Sequence, residues 1–101
     1  MVDQGDVLGE IFPAFVTELE RLLQQEGEPL LATMVGVLRF HSWCECEQDN
    51  CQTFYTAAPP SDAYGRGHRN VPLSPDRGMI ILDVVDDVIK CIEVLDRDPL
   101  S

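Results

Sequence analysis

The stretch that decides the fold is Met79 to Asp96, MIILDVVDDVIKCIEVLD. Two apolar, β-branched runs flank the acidic pair Asp86-Asp87, which is the pattern of a strand, a tight turn and a second strand. A turn centred on that pair sets Val85 against Val88, Asp83 against Lys90 and Leu82 against Cys91. The Asp83–Lys90 match supports this register, because opposite charges directly across a ladder are mildly stabilising. Asp-Asp is weaker turn chemistry than Asn-Gly, so a shifted or longer turn is the competing arrangement. Apolar residues occupy both faces of the hairpin, which predicts a strand pair central in its sheet, covered on both sides or covered by a second subunit.

Working outward, Phe12, Phe15, Val16, Leu19, Leu22 and Leu23 recur at helical spacing and predict an amphipathic helix over about 12–26. Pro13 suits a first turn, where its missing N–H has no partner to lose. Gly27 is a C-terminal stop and Pro29 lies beyond the end. A further hairpin is expected over about 33–57, with LATMVGVLRFHSW as one strand and CQTFYTA as the other around the polar turn EQDN. Leu30 to Ala32 has the alternative of a short helical turn. Residues 58–78, APPSDAYGRGHRNVPLSPDRG, read as a long loop with a short extended piece at Asn70 to Leu73. The whole chain, 1–101, is then a single α+β domain: one N-terminal amphipathic helix packed on a four- to five-stranded antiparallel sheet. One helix covers one sheet face, so a homodimer is one way to hide the remainder.

A chain of 101 residues is long enough to bury a core of its own. Seven Lys and Arg stand against 18 Asp and Glu, a formal net charge of -11. A surface of that sign repels phosphate backbones and anionic bilayers, which argues against nucleic acid and membrane as partners. It suits steering towards a basic protein. The N-terminal stretch MVDQGDVLGEIFPAF has neither a basic leader nor a long apolar run, and no segment approaches the ~20 apolar residues of a membrane span. A cytoplasmic setting is expected, where stable disulfides are disfavoured.

Three of the four cysteines fall in the first hairpin, as His41-x2-Cys44-x-Cys46-x4-Cys51. With EQDN as the turn, Cys46 lies opposite Cys51 and Cys44 opposite Thr53. Strand alternation then puts Cys44, Cys46 and Cys51 on one face and His41 on the other. Four readings stay open. A structural zinc site needs four ligands, with His68, Cys91 or His41 as candidates for the fourth. A Cys46–Cys51 disulfide fits the cross-strand geometry but not a reducing compartment. A catalytic thiol is opposed by the acidic neighbours Glu45, Glu47 and Asp49, which raise a thiol pKa. Plain packing of small thiols at a hairpin end is the fourth. Cys91, on an apolar strand, reads as a core thiol.

Against the acidic background, AYGRGHRN gathers Arg66, His68 and Arg69 beside Tyr64 on a glycine-hinged loop. That reversal of sign makes a candidate binding loop for a carboxylate or phosphate, unless the loop folds back on the protein's own acids. No nucleophile elbow, P-loop, zincin helix or dinucleotide fingerprint is present, so the sequence supplies no catalytic constellation.

The run CECEQDNCQTFYTAAPPSDAYGRGHRNVPL, followed by GMIILDVVDDVIKCIEVLDR, resembles a group of short, uncharacterised bacterial proteins. They share a C-x-C with a following Cys, F-Y-T, G-x-G-H-R and a closing ILDVVD…IEVL. The resemblance implies a small bacterial cytoplasmic protein in which Cys44, Cys46, Cys51, Gly67, His68 and Arg69 belong to the shared pattern, and it implies no activity. The sequence therefore favours a non-enzymatic protein-interaction module, of the immunity or antitoxin kind. The alternative is a protein binding zinc or a small anion through the Cys44/Cys46/Cys51 hairpin, with His68 as a further metal ligand, and the Arg66-His68-Arg69 loop.

Overall fold

The computed structural model describes residues 2–46 and 48–101. Helices α1 (Leu8–Ile11), α2 (Pro13–Gln25) and α3 (Pro29–Met34) come first, followed by a 3-10 turn at Val35–Val37. Strands β1 (Ser42–Trp43), β2 (Phe54–Tyr55), β3 (His68–Pro72), β4 (Met79–Val85) and β5 (Val88–Leu95) complete the chain. They form one antiparallel sheet in the order β1-β2-β5-β4-β3. The fold is α+β, with the helices on one face of the sheet. No helix among the described residues is long and apolar enough to cross a membrane.

The β4–β5 hairpin is central, as its apolar content requires. Its turn falls on Asp86-Asp87, whose φ values of 50° and 64° are both left-handed. Two positive φ angles in a two-residue loop match the right-handed twist of the flanking strands, and Asp tolerates that region better than most residues. Val85 faces Val88 and Val84 faces Ile89, but the register then slips. Asp83 pairs with Cys91 and Leu82 with Ile92, so the expected Asp83–Lys90 and Leu82–Cys91 pairs do not form.

The cause lies in the phase of the apolar residues. Counting outward by twos from buried Ile89 would bring Cys91, Glu93 and Leu95 into the core, with a carboxylate among them. One extra residue at Lys90 reverses the phase, so Ile92 and Val94 are buried instead. Thr56 satisfies the displaced backbone: its N–H donates to the Lys90 carbonyl at 2.9 Å and its Oγ1 to the Ile89 carbonyl at 2.8 Å.

The N-terminal half departs further from expectation. Residues 29–37, expected to enter a strand near 33, are helical instead. Pro29 opens α3, and Leu30, Leu31, Ala32 and Met34 are among the better helix formers. The first hairpin keeps its expected pairing, Ser42 with Tyr55 and Trp43 with Phe54, over only two residues a strand. Within the expected loop 58–78, His68–Pro72 pairs with β4 through buried Val71, set opposite Leu82.

The amphipathic stripe of α2 lies on the sheet, with Phe15, Leu19, Leu22 and Leu23 buried in one core with Ile80, Leu82, Val84, Ile92 and Val94. Phe54, fully buried, joins this layer to the first hairpin. Its ring centroid lies 5.5 Å from Phe40, 5.9 Å from Phe12, 6.0 Å from Trp43 and 6.5 Å from Phe15.

Two glycines with similar backbone angles separate steric from conformational cost. Gly78 (φ 72°) lies against the chain end of β5, where an added Cβ would overlap the Leu95 carbonyl oxygen and sit 2.7 Å from that of Asp96. Gly27 (φ 74°), closing α2, has open space around it. Urea unfolding should show Gly27→Ala costing about 1 kcal/mol, and Gly78→Ala roughly 2–4 kcal/mol, because an overpacking term adds to the left-handed penalty. Equal losses at the two sites would contradict the packing described.

Candidate metal centre and adjoining groove

Phe54 and Trp43 pair on the core side, so the residues that alternate with them face outward. Cys44 donates its backbone N–H to the Thr53 carbonyl at 2.8 Å, carrying the hairpin register one step beyond the assigned strands. The Sγ atoms of Cys44, Cys46 and Cys51 all lie within 4.8 Å of one another. All three are free thiols: Cys44 and Cys51 are half-buried and Cys46 is exposed. The Cys51 arm is well anchored. Gln52 N–H donates to the Val94 carbonyl at 2.9 Å, Asp96 N–H to the Asn50 carbonyl at 3.0 Å, and Asn50 Nδ2 to Asp96 Oδ1 at 2.6 Å.

The thiols divide one proton-sharing network. Its hydrogen bond to the Cys51 sulfur, with burial and Cys44 adding to the effect, pushes Cys46 up to about 11. Burial alone would raise Cys51, but hydrogen bonds from Cys46 and from the Thr53 hydroxyl and N–H bring it below the ordinary thiol value. The Cys51 sulfur is thus where negative charge is best accommodated.

Beyond the thiols the outward sheet face forms a groove of about 370 Å³, within the size range of small-molecule sites. Its course follows the pairing. Cys51 bridges to Leu95 at one end of β5, while Tyr55 lies beside Cys91 further along, and Asp83 comes next on β4. Burial, a hydrogen bond to Asp83 and the charge of Asp83 push Glu93 up to about 7. Asp83 Oδ1 also meets His68 Nε2 at 2.9 Å, and the Tyr64 ring packs on the imidazole with centroids 4.9 Å apart. The Tyr64 hydroxyl is buried without a hydrogen-bond partner among the described residues. Burial, with Cys91 and Asp83 nearby, pushes its phenol up to about 12. Cys91 itself is raised to about 12, chiefly by burial, and is chemically quiet.

The structure thus brings Cys44, Cys46 and Cys51 together and leaves His68 out. Its imidazole is held by Asp83, and no His, Asp, Glu or fourth Cys among the described residues joins the three sulfurs. His41 turns to Ser42 Oγ, 2.9 Å from its Nδ1. The expected binding loop is split by strand alternation along β3. His68 serves the groove, whereas Arg69 forks onto Glu28 at 2.8 and 3.0 Å, with Asp87 at 3.7 Å. That fork lowers the Glu28 carboxyl and raises the Arg69 guanidinium, so Arg69 is already committed to the protein's own acids. No ion pair of Arg66 is found among the described residues. A smaller cavity of about 190 Å³ beside the C-terminal segment has its charges paired, with Arg97 on Glu18 and Arg77 on Asp98.

The Asp83–Glu93 pair was not foreseen in the sequence. Matching Asp83 to Lys90 supplied it with a partner and concealed the real one. The available signal was the phase of VIKCIEVL, where no period-two count buries Ile89, Ile92 and Val94 together.

The folded protein holds the Glu93 proton more tightly than an unfolded chain would. That contribution to stability is complete below about pH 4.5 and is lost as pH rises through about 7. Glu93→Gln keeps a neutral donor to Asp83 and removes the titration. Its urea midpoint should match wild type near pH 5 and exceed it near pH 8; a midpoint difference constant across that range would refute the assignment. Comparison with protein-family models, with curated proteins and with solved structures finds no match, and the site is read from its own chemistry.

Proposed function

We propose that this protein is a small metal-binding domain that holds a thiophilic divalent ion, zinc first, through Cys44, Cys46 and Cys51. The observation that carries the reading is the convergence of three free thiols within 4.8 Å. Zinc–thiolate bonds of about 2.3 Å place sulfurs ~3.8 Å apart in a tetrahedron, so the trio is close to the spacing an ion would impose. Three protein ligands leave one coordination position for water or an outside donor, the arrangement found where a zinc ion is more than structural. The thiols must shed protons to bind, so affinity falls as pH is lowered.

Titration of chelator-treated protein with Co(II) should produce thiolate-to-metal charge transfer and the strong visible bands of a tetrahedral site, and Zn(II) should displace them. Cys51→Ser should weaken zinc by at least ~10-fold, whereas Cys91→Ser should not. Zinc at a hundredfold excess over its Kd should add about 2.7 kcal/mol of stability. Featureless cobalt spectra together with a melting temperature indifferent to chelator would sink the reading.

A second reading, the protein-interaction module, is supported by how the cations are spent. Arg69, Arg77 and Arg97 each lie in an ion pair within the chain, and exposed acids such as Asp49, Asp62 and Asp86 remain, in a chain with 18 Asp and Glu against seven Lys and Arg. A basic protein would meet that surface with affinity that falls steeply with salt.

A further inference from the structure

The same three sulfurs carry a chemistry that needs no metal. We propose that in the metal-free protein Cys46 and Cys51 form a thiol–disulfide exchange site for cationic low-molecular-weight disulfides of the aminothiol class. The pairing follows from geometry. The β1–β2 register, Ser42 with Tyr55 and Trp43 with Phe54, continues as far as the Cys44–Thr53 hydrogen bond, and the same count carried two residues on matches Cys46 to Cys51. Their sulfurs are among those within 4.8 Å of one another. Facing cross-strand residues have the Cβ separation a disulfide nearly requires, whereas Cys44 and Cys46, two apart on one strand, do not. Access is also provided, because Cys46 is exposed and Cys51 opens onto the groove.

The class of disulfide follows from charge. Glu45 flanks the thiols, Asp83 lines the same groove, and the chain carries a net charge of -11. An anionic disulfide such as that of glutathione is repelled, whereas a bis-ammonium disulfide such as cystamine is drawn in.

The reaction balances as two displacements. One protein thiolate of the pair attacks a sulfur of the small disulfide, forming a mixed disulfide and expelling one aminothiolate. The second protein thiolate attacks the protein-side sulfur of that bond and expels the other. Two protein thiols are oxidised, one small disulfide is reduced to two thiols, and the two protons pass to the departing thiolates. Closure leaves Cys44 as the one free thiol of the trio, so oxidation and metal binding exclude each other if the metal reading above holds.

The test uses reduced, chelator-treated full-length protein, with cystamine and glutathione disulfide as probes and mass spectrometry after alkylation as readout. Cleavage after Glu45 and Glu47 separates the three cysteines for mapping. Wild type should lose two thiols to a Cys46–Cys51 link. Cys46→Ser and Cys51→Ser should each stop at one cysteamine adduct, and Cys44→Ser should still close. Cystamine should react at least ~10-fold faster than glutathione disulfide at low salt, with the ratio collapsing towards 1 in high salt. A link through Cys44 or Cys91, no closure, or equal rates at low salt would overturn the proposal. Both probes are read on metal-free protein, so a failure to bind zinc leaves this result standing.

Discussion

The burial of Phe54 is the constraint on which the rest of the structure depends. Its ring meets four other aromatic rings and is fully removed from water. Removal of such a side chain typically costs roughly 3–5 kcal/mol. Because a strand alternates, fixing Phe54 inward also fixes Thr53 and Tyr55 outward. Pairing passes that choice to Cys44 and Cys51 on the hairpin, to Cys91 and Glu93 on β5, and to Asp83 on β4. A single apolar anchor thus decides which polar groups share the groove.

The helices bury the other face of the sheet, so stability and chemistry occupy opposite sides of one layer. Phe15, Leu19, Leu22 and Leu23 supply the first. On the second, the thiols and carboxyl groups are held by strands that gain their rigidity from the helical side. The groups there can carry unfavourable features, such as an unpartnered Tyr64 hydroxyl and a carboxyl that keeps its proton near neutrality, because the packed face offsets them.

Much of this was legible in the sequence, and the failures have identifiable causes. The stripe of α2, the Asp86-Asp87 turn and the shared face of the three cysteines follow from periodicity alone, since each depends on side-chain direction over a few residues. Residues 29–37 misled because Val35, Val37 and Leu38 are apolar in either structure, and only Pro29 marks a helix start. His68 and Arg69 looked like one cationic group because they are adjacent, yet adjacency on a strand means opposite faces. Their partners, Asp83 and Glu28, are distant in sequence, and no local pattern names them.

The extra residue at Lys90 acts as a phase shifter between two halves of β5. On one side, positions are counted from the cysteine hairpin; on the other, from the turn. Thr56 holds the junction through both displaced carbonyls, so the halves are clamped where they meet. The tip is held separately, by the Asp86 N–H on the Gly67 carbonyl at 3.3 Å and by the Asp86 carboxylate packed where a Gly67 side chain would stand. The tip and the row that holds Cys91 and Glu93 are therefore fixed by different contacts, on either side of the extra residue.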